Sequence, residues 1–323
     1  MITYTRFYFV LFFCLTSILG FAQSTNSTKK EAKELLKQAG KSFQQLDSKK
    51  SLDFAQKALI LATKNNDDLL ASKAYNLIGL NFEEFSDYKK AIEYYNKGLV
   101  LANKVDNDTV KGWLNNNLGN VYCYRKIDFQ KGIKHYKEGL KYSIKHNDEY
   151  EIMFSKLNIG SAYFAVEDFS NGIQYFNDVK DYVDKNGDIE SKISLNSNFG
   201  LYYNSLNNNK KAEEYYLKAV NYCEQNDIEL IKSNASDVYN DISNFYYKIK
   251  NFEKAHFYLL KHDDLQDKIY NEERLNDVKV AGLQIEHDEI NREIDQIKKE
   301  KEIQQEKLQA NRVFVILLGI IFF

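Results

Sequence analysis

Three asparagines recur at one fixed spacing: Asn117, Asn158 and Asn198 each stand two residues before a glycine, and Asp241 stands two before Ser243. A carboxamide donates through its NH2 and accepts through its oxygen, so one side chain can hold both the N–H and the C=O of an extended backbone. The same group equally suits capping or bridging neighbouring helices. Asn116, Asn120, Tyr124, Phe164, Asn204 and Tyr247 lie close by. Amides mixed with large aromatics are the makings of a protein-recognition surface; equally, Phe164 and Tyr247 suit a core. Catalysis has no comparable footing. The chain has no Gly-rich phosphate loop, no His-Glu-x-x-His zinc motif and no Gly-x-Ser-x-Gly elbow. Its histidines, at 135, 146, 256, 262 and 287, are scattered, and His256 and His262 fall on different faces of a helix. The expectation is a binding protein with no catalytic, cofactor or metal site.

The residues that must position these side chains repeat. Ile78-Gly79-x-x-Phe82 is followed by Ala91, Tyr95 and Gly98. Ile159-Gly160-x-x-Tyr163 is followed by Gly172, Phe176 and Val179, and Phe199-Gly200-x-x-Tyr203 by Ala212, Tyr216 and Ala219. Leu118-Gly119-x-x-Tyr122 leads to Gly132, Tyr136 and Gly139, one residue late through an insertion near Ile127. Ile242-Ser243-x-x-Tyr246 leads to Ala255, Leu259 and His262, and a degenerate first copy uses Ala39, Ser51, Ala55 and Ala58. The period is near 40, with about six copies.

Small residue and aromatic share one face of a first helix, and the small residue of a second helix lets the two backbones approach. Ser86-Asp87, Asp128, Glu167-Asp168, Asn207-Asn208-Asn209 and Lys250-Asn251 supply the tight turns between them. The chain contains no proline, which would break helix interiors, and 14% of its residues are aromatic, enough for a substantial core. A net charge of -2 gives no global attraction to nucleic acid, and no nucleic-acid partner is expected.

Over roughly residues 31–262 this pattern resembles the tetratricopeptide repeat family in a long form of about 40 residues. It departs in lacking the proline that often ends the second helix. The resemblance implies an all-α fold, an α-α superhelix (solenoid) with a concave wall built mainly from first helices. In peptide-binding members, an Asn at the place of Asn117, Asn158 and Asn198 can hold the backbone of a bound peptide, so a peptide or protein ligand is the implied partner.

The flanks read differently. Residues 1–22 combine a basic start at Arg6, an apolar run from Phe7 to Phe21 and a small residue at Ala22, as a secretory signal peptide does, the other reading being an uncleaved anchor helix. Cys14 lacks the small neighbours of a lipid-attachment site. Cys123 and Cys223 sit two repeats apart, too far for a disulfide. The repeats occupy 23–262, and residues 263–312 read as one long charged helix.

Within that helix Leu283, His287, Ile290, Ile294, Ile297, Lys301, Gln304 and Leu308 follow heptad spacing, with polar residues at three seam positions. The segment 283–308 therefore reads either as a weak coiled coil forming a homodimer or as a single helix continuing the solenoid. His287-Asp288-Glu289-Ile290 looks like the phosphoacceptor box of some histidine kinases, but Arg292 stands where a glutamine is usual. Residues 313–323 are wholly apolar and read as the start of a transmembrane helix.

This order resembles the extracytoplasmic part of bacterial membrane-bound signalling proteins, of histidine kinase or helix-turn-helix regulator type. It implies repeats outside the cytoplasmic membrane, anchored by the C-terminal segment, acting as a sensor input region. The alternative is a membrane-tethered scaffold for protein assembly with no signalling output.

Overall fold

The computed structural model describes residues 27–124 and 127–321; the signal-peptide segment lies outside them. Among the described residues every regular element is a helix and no strand occurs. Helix α1 covers 27–44. It is followed by α2 (Ser48–Lys64), α3 (Asp68–Glu84), α4 (Tyr88–Lys104), α5 (Asp108–Tyr124), α6 (Phe129–His146) and α7 (Glu149–Ala165). Then come α8 (Phe169–Asn186), α9 (Ile189–Ser205), α10 (Asn209–Glu224), α11 (Ile228–Lys248) and α12 (Phe252–Ile321). In chain order these make six consecutive helix pairs.

Eight of the described turns are built from two residues in succession. Leu46, Asn66, Ser86, Asp106, Asn147, Glu167, Asn207 and Lys250 all adopt positive φ. Each is followed by Asp or Asn. The left-handed residue ends one helix, and the next residue's backbone N–H reaches back five residues, as in Asp67 to Ala62, Asp168 to Tyr163 and Asn208 to Tyr203. That same residue's side chain then caps the following helix, as Asp67 accepts from the Leu70 N–H and Asp168 from the Asn171 N–H. Each such cap contributes about 1 kcal/mol. One dipeptide thus ends a helix and starts the next, which is why the connections are so short.

The chain divides into two compact units. Among the described residues the first comprises 27–84, 96–106 and 280–321, and the second 85–95, 107–124 and 127–279. In the second, the anchor glycines act as seats for rings. A Cβ on Gly119 would come within 2.4 Å of the Tyr136 ring, on Gly160 within 2.8 Å of Phe176, and on Gly200 within 2.6 Å of Tyr216. All three rings are fully buried. In the first unit the degenerate opening copy is well packed, with Ala39, Ser51, Ala55 and Ala58 inaccessible to solvent.

The last copy departs from its spacing. Leu259, at the ring position, is exposed, and Tyr258 fills the space instead, stacked on Tyr246 with ring centroids 5.8 Å apart. Helix α12 opens as the second helix of this copy and runs unbroken through 262–263 and 312–313. Among the described residues no helix is long and apolar enough to cross a membrane.

Candidate protein-binding wall

In the second unit the first helices α5, α7, α9 and α11 pack side by side, and each also contacts a second helix. The recurring amides lie in this layer, and hydrogen bonds join them from repeat to repeat. Asn158 donates to the Asn120 Oδ1 at 3.3 Å, and Asn198 donates to the Ser161 Oγ at 3.3 Å. The partner in each case stands one residue after the preceding repeat's anchor glycine. Tyr136, whose ring sits on Gly119, donates its hydroxyl to the same Asn120 oxygen at 2.9 Å. Tyr124 donates to the Asn158 Oδ1 at 3.3 Å. Ser155 donates to Asn116 at 3.1 Å, and Asn116 donates to Glu151 at 3.2 Å. In the last repeat Ser197 donates to Asp241 at 3.0 Å.

The sequence-selected residues therefore separate into three groups. Asn116 and Asn158 are buried within the inter-repeat bonds. Asn117, Asn120, Asn198 and Asn204 are partly exposed along the layer, and Asn204 accepts from Lys248 at 3.1 Å. Tyr124 and Tyr247 stand furthest out, 63% and 68% exposed, and Tyr247 meets Phe252 edge-on. Phe164 corrects the expectation made for it. It is buried, edge-on to Phe169 and Phe176 at 5.0 Å, and it packs where a Cβ on Gly172 would lie 2.3 Å away. The missing side chain of Gly172 is what admits the Phe164 ring to the core, so Phe164 is not open to a ligand.

Sequence reasoning passed over Ser155, Ser161 and Glu151. Their signal was present, since Ser161 follows Gly160 as Asn120 follows Gly119.

Burial sets the electrostatics of the layer. It raises the Asp241 carboxyl to about 7, with nearby Asp237 adding to the effect and the Ser197 hydrogen bond opposing it. Burial likewise raises Glu151, helped by Asp148 and opposed by the Asn116 amide. His135 is pulled down by burial and stacks on Tyr122, with Nδ1 3.0 Å from the Asn115 oxygen. Cys123 and Cys223 are free and buried, and burial pushes both thiols up to about 12. At that value neither is a nucleophile at neutral pH. Among the described residues no cluster of His, Cys, Asp and Glu could hold a metal ion.

A family model described as tetratricopeptide repeat matches residues 72–104 and 193–226, which are the α3–α4 and α9–α10 pairs. Solved structures of similar fold include the apo form of RapI, with a TM-score of 0.61 and 14% identity over 75% of this chain and 85% of that one. A Rap protein complexed with competence and sporulation factor gives 0.58 and 16% over 75% and 66%. The apo quorum sensor NprR from B. thuringiensis gives 0.54 and 15% over 77% and 79%. At such identities the likeness shows the fold alone. A comparison with curated protein sequences finds no match. Tetratricopeptide repeats are thus matched at two places within an all-helical array.

Proposed function

We propose that this chain is the ligand-reading part of a membrane-bound signal transduction protein, and that a peptide or protein segment lies along the first-helix layer of α5, α7, α9 and α11. The observation that carries the reading is the row of partly exposed amides, Asn117, Asn120, Asn198 and Asn204, set between the outward Tyr124 and Tyr247. The inter-repeat bonds use the Asn120 oxygen and the Asn198 NH2, which leaves the Asn120 NH2 to donate and the Asn198 oxygen to accept from a backbone, and exposed tyrosines offer large contact area at small entropic cost. Two structures of the same fold support it by what they are, a Rap protein complexed with a sporulation factor and a quorum sensor.

The membrane context rests on the ends of the chain. Residues 1–22 have the pattern of a signal peptide, and α12 leads into the apolar run 313–323. Val313, Phe314 and Ile316 are exposed on that helix, an arrangement that calls for lipid or protein cover. On this reading the repeats are exported and α12 carries the signal toward the membrane. The scaffold alternative shares the wall and dispenses with the output.

A displayed library of random peptides tests the binding claim. Peptides enriched on the wild-type chain should lose about tenfold or more in affinity to a Tyr124→Ala, Tyr247→Ala double variant, since outward aromatics of this kind dominate binding energy. Helicity should be unchanged because both side chains are exposed. Enriched peptides indifferent to both substitutions would place the site elsewhere, and a library with no enriched member would leave the module without a peptide ligand.

A further inference from the structure

Within the first unit, the seam of α12 is already occupied. Ile294 and Ile297 are 3% and 9% exposed, although every other described residue from 292 to 300 is exposed. One turn on, the Lys301 ammonium reaches three oxygens at the end of α2: the Thr63 carbonyl at 2.6 Å, the Lys64 carbonyl at 2.8 Å and the Asn66 Oδ1 at 2.5 Å. Lys64 pairs in return with Glu293 at 3.4 Å. An ammonium has three protons to donate, and all three are used. Thr63 and Lys64 lie in the last turn of α2, at the negative end of the helix dipole, and the Thr63 carbonyl, which also accepts from the Asn66 N–H at 3.2 Å, shares itself with Lys301. Asn66, at φ 55, is the left-handed residue of the turn after α2. Beside the contact runs a cleft of about 430 Å³, lined by Tyr75, Val100 and Leu101 on one side and by Lys298, Lys301 and Glu302 on the other.

A coiled coil needs the same three positions. Ile294, Ile297 and Lys301 are consecutive heptad positions, and a lysine at a core position of a coil costs stability because two like charges then face each other across the seam. In the socket, that lysine is fully satisfied. The seam is also longer than the socket: Gln304 is exposed and Leu308 is 53% exposed, so heptad positions continue into the open beyond the last contact with α2.

We infer that the seam of α12 has two mutually exclusive partners, the socket at the end of α2 and the same seam of a second copy, and that docking in the socket holds the chain monomeric. The exposed positions beyond Lys301 are the foothold for the second copy. The inference rests on contacts inside the first unit and stands whether or not the wall binds a peptide.

The test alters the socket and leaves the seam untouched. Asn66→Gly removes an oxygen from Lys301 while keeping a residue suited to positive φ. Val100→Lys places a cation across the cleft from Lys298 and Lys301 at a position already exposed. Sedimentation equilibrium of the full chain in mild detergent should find the wild type monomeric and the double variant dimerising about tenfold or more tighter, with residues 290–305 still protected from hydrogen exchange in the dimer. Adding Ile294→Asp and Ile297→Asp should abolish that dimer. Lys301→Leu, which leaves the repeats intact, should also drive dimerisation should the socket variant fail to fold. Socket and Lys301 variants as monomeric as the wild type would overturn the inference, as would a dimer that survives the two aspartates.

Discussion

Gly160 shows what one missing methyl does here. The Phe176 ring lies where a Cβ on Gly160 would meet it at 2.8 Å, and Phe176 has no room to retreat because it also packs against Phe164 and Phe199. Gly160→Ala should therefore destabilise the chain by about 1–3 kcal/mol, the usual cost of overpacking, despite the higher helix propensity of alanine. Urea unfolding monitored by far-ultraviolet circular dichroism reads this directly, and an alanine variant as stable as the wild type would remove the glycine–ring seat from the account. The seat was legible from sequence, because Gly160 and Phe176 are sixteen residues apart within one helix pair and the same spacing recurs at Gly200 and Tyr216. Phe164 was not: its burial depends on Gly172 of the facing helix, and an aromatic four residues after an anchor reads equally as wall or as core until that facing residue is placed.

Between elements, the amides have partners that spacing alone could not assign. The sequence shows Asn158 recurring but not where its amide points, and the partner, Asn120, is thirty-eight residues away on another first helix. Asp241 occupies the equivalent place in α11 and is an acid where α5, α7 and α9 carry an amide. Its folded carboxyl is raised to about 7 by burial and by Asp237, so between roughly pH 4 and pH 7 the folded chain holds a proton that the unfolded chain has released. Stability must therefore fall as pH rises through that window. Asp241→Asn keeps an acceptor for the Ser197 hydroxyl and removes the titration, so it should add about 2 kcal/mol at pH 8 and nothing near pH 4. Thermal melts at the two pH values check the sign; an equal effect at both would mean that Asp241 ionises freely in the folded chain. Helix α12 gives the same lesson at longer range. Its heptads announce a seam, but the socket that receives Lys301 is more than two hundred residues earlier, beyond any periodicity.

At the scale of the molecule, repeats of near-identical backbone carry different surfaces, and function lies in the difference. The turns, capped eleven times by Asp or Asn from Asp47 to Asn251, and the glycine seats explain why the chain folds, and they say nothing about what it binds. Under the proposed function the first-helix layer is the reading surface. Hydrogen exchange of the full chain with and without a library-selected peptide tests it most directly. Slowed exchange should be concentrated in α5, α7, α9 and α11 around Asn117, Asn120, Asn198 and Asn204, with the outer turns of α6, α8 and α10 unchanged. Protection confined to the second helices, or to the socket at the end of α2, would contradict it.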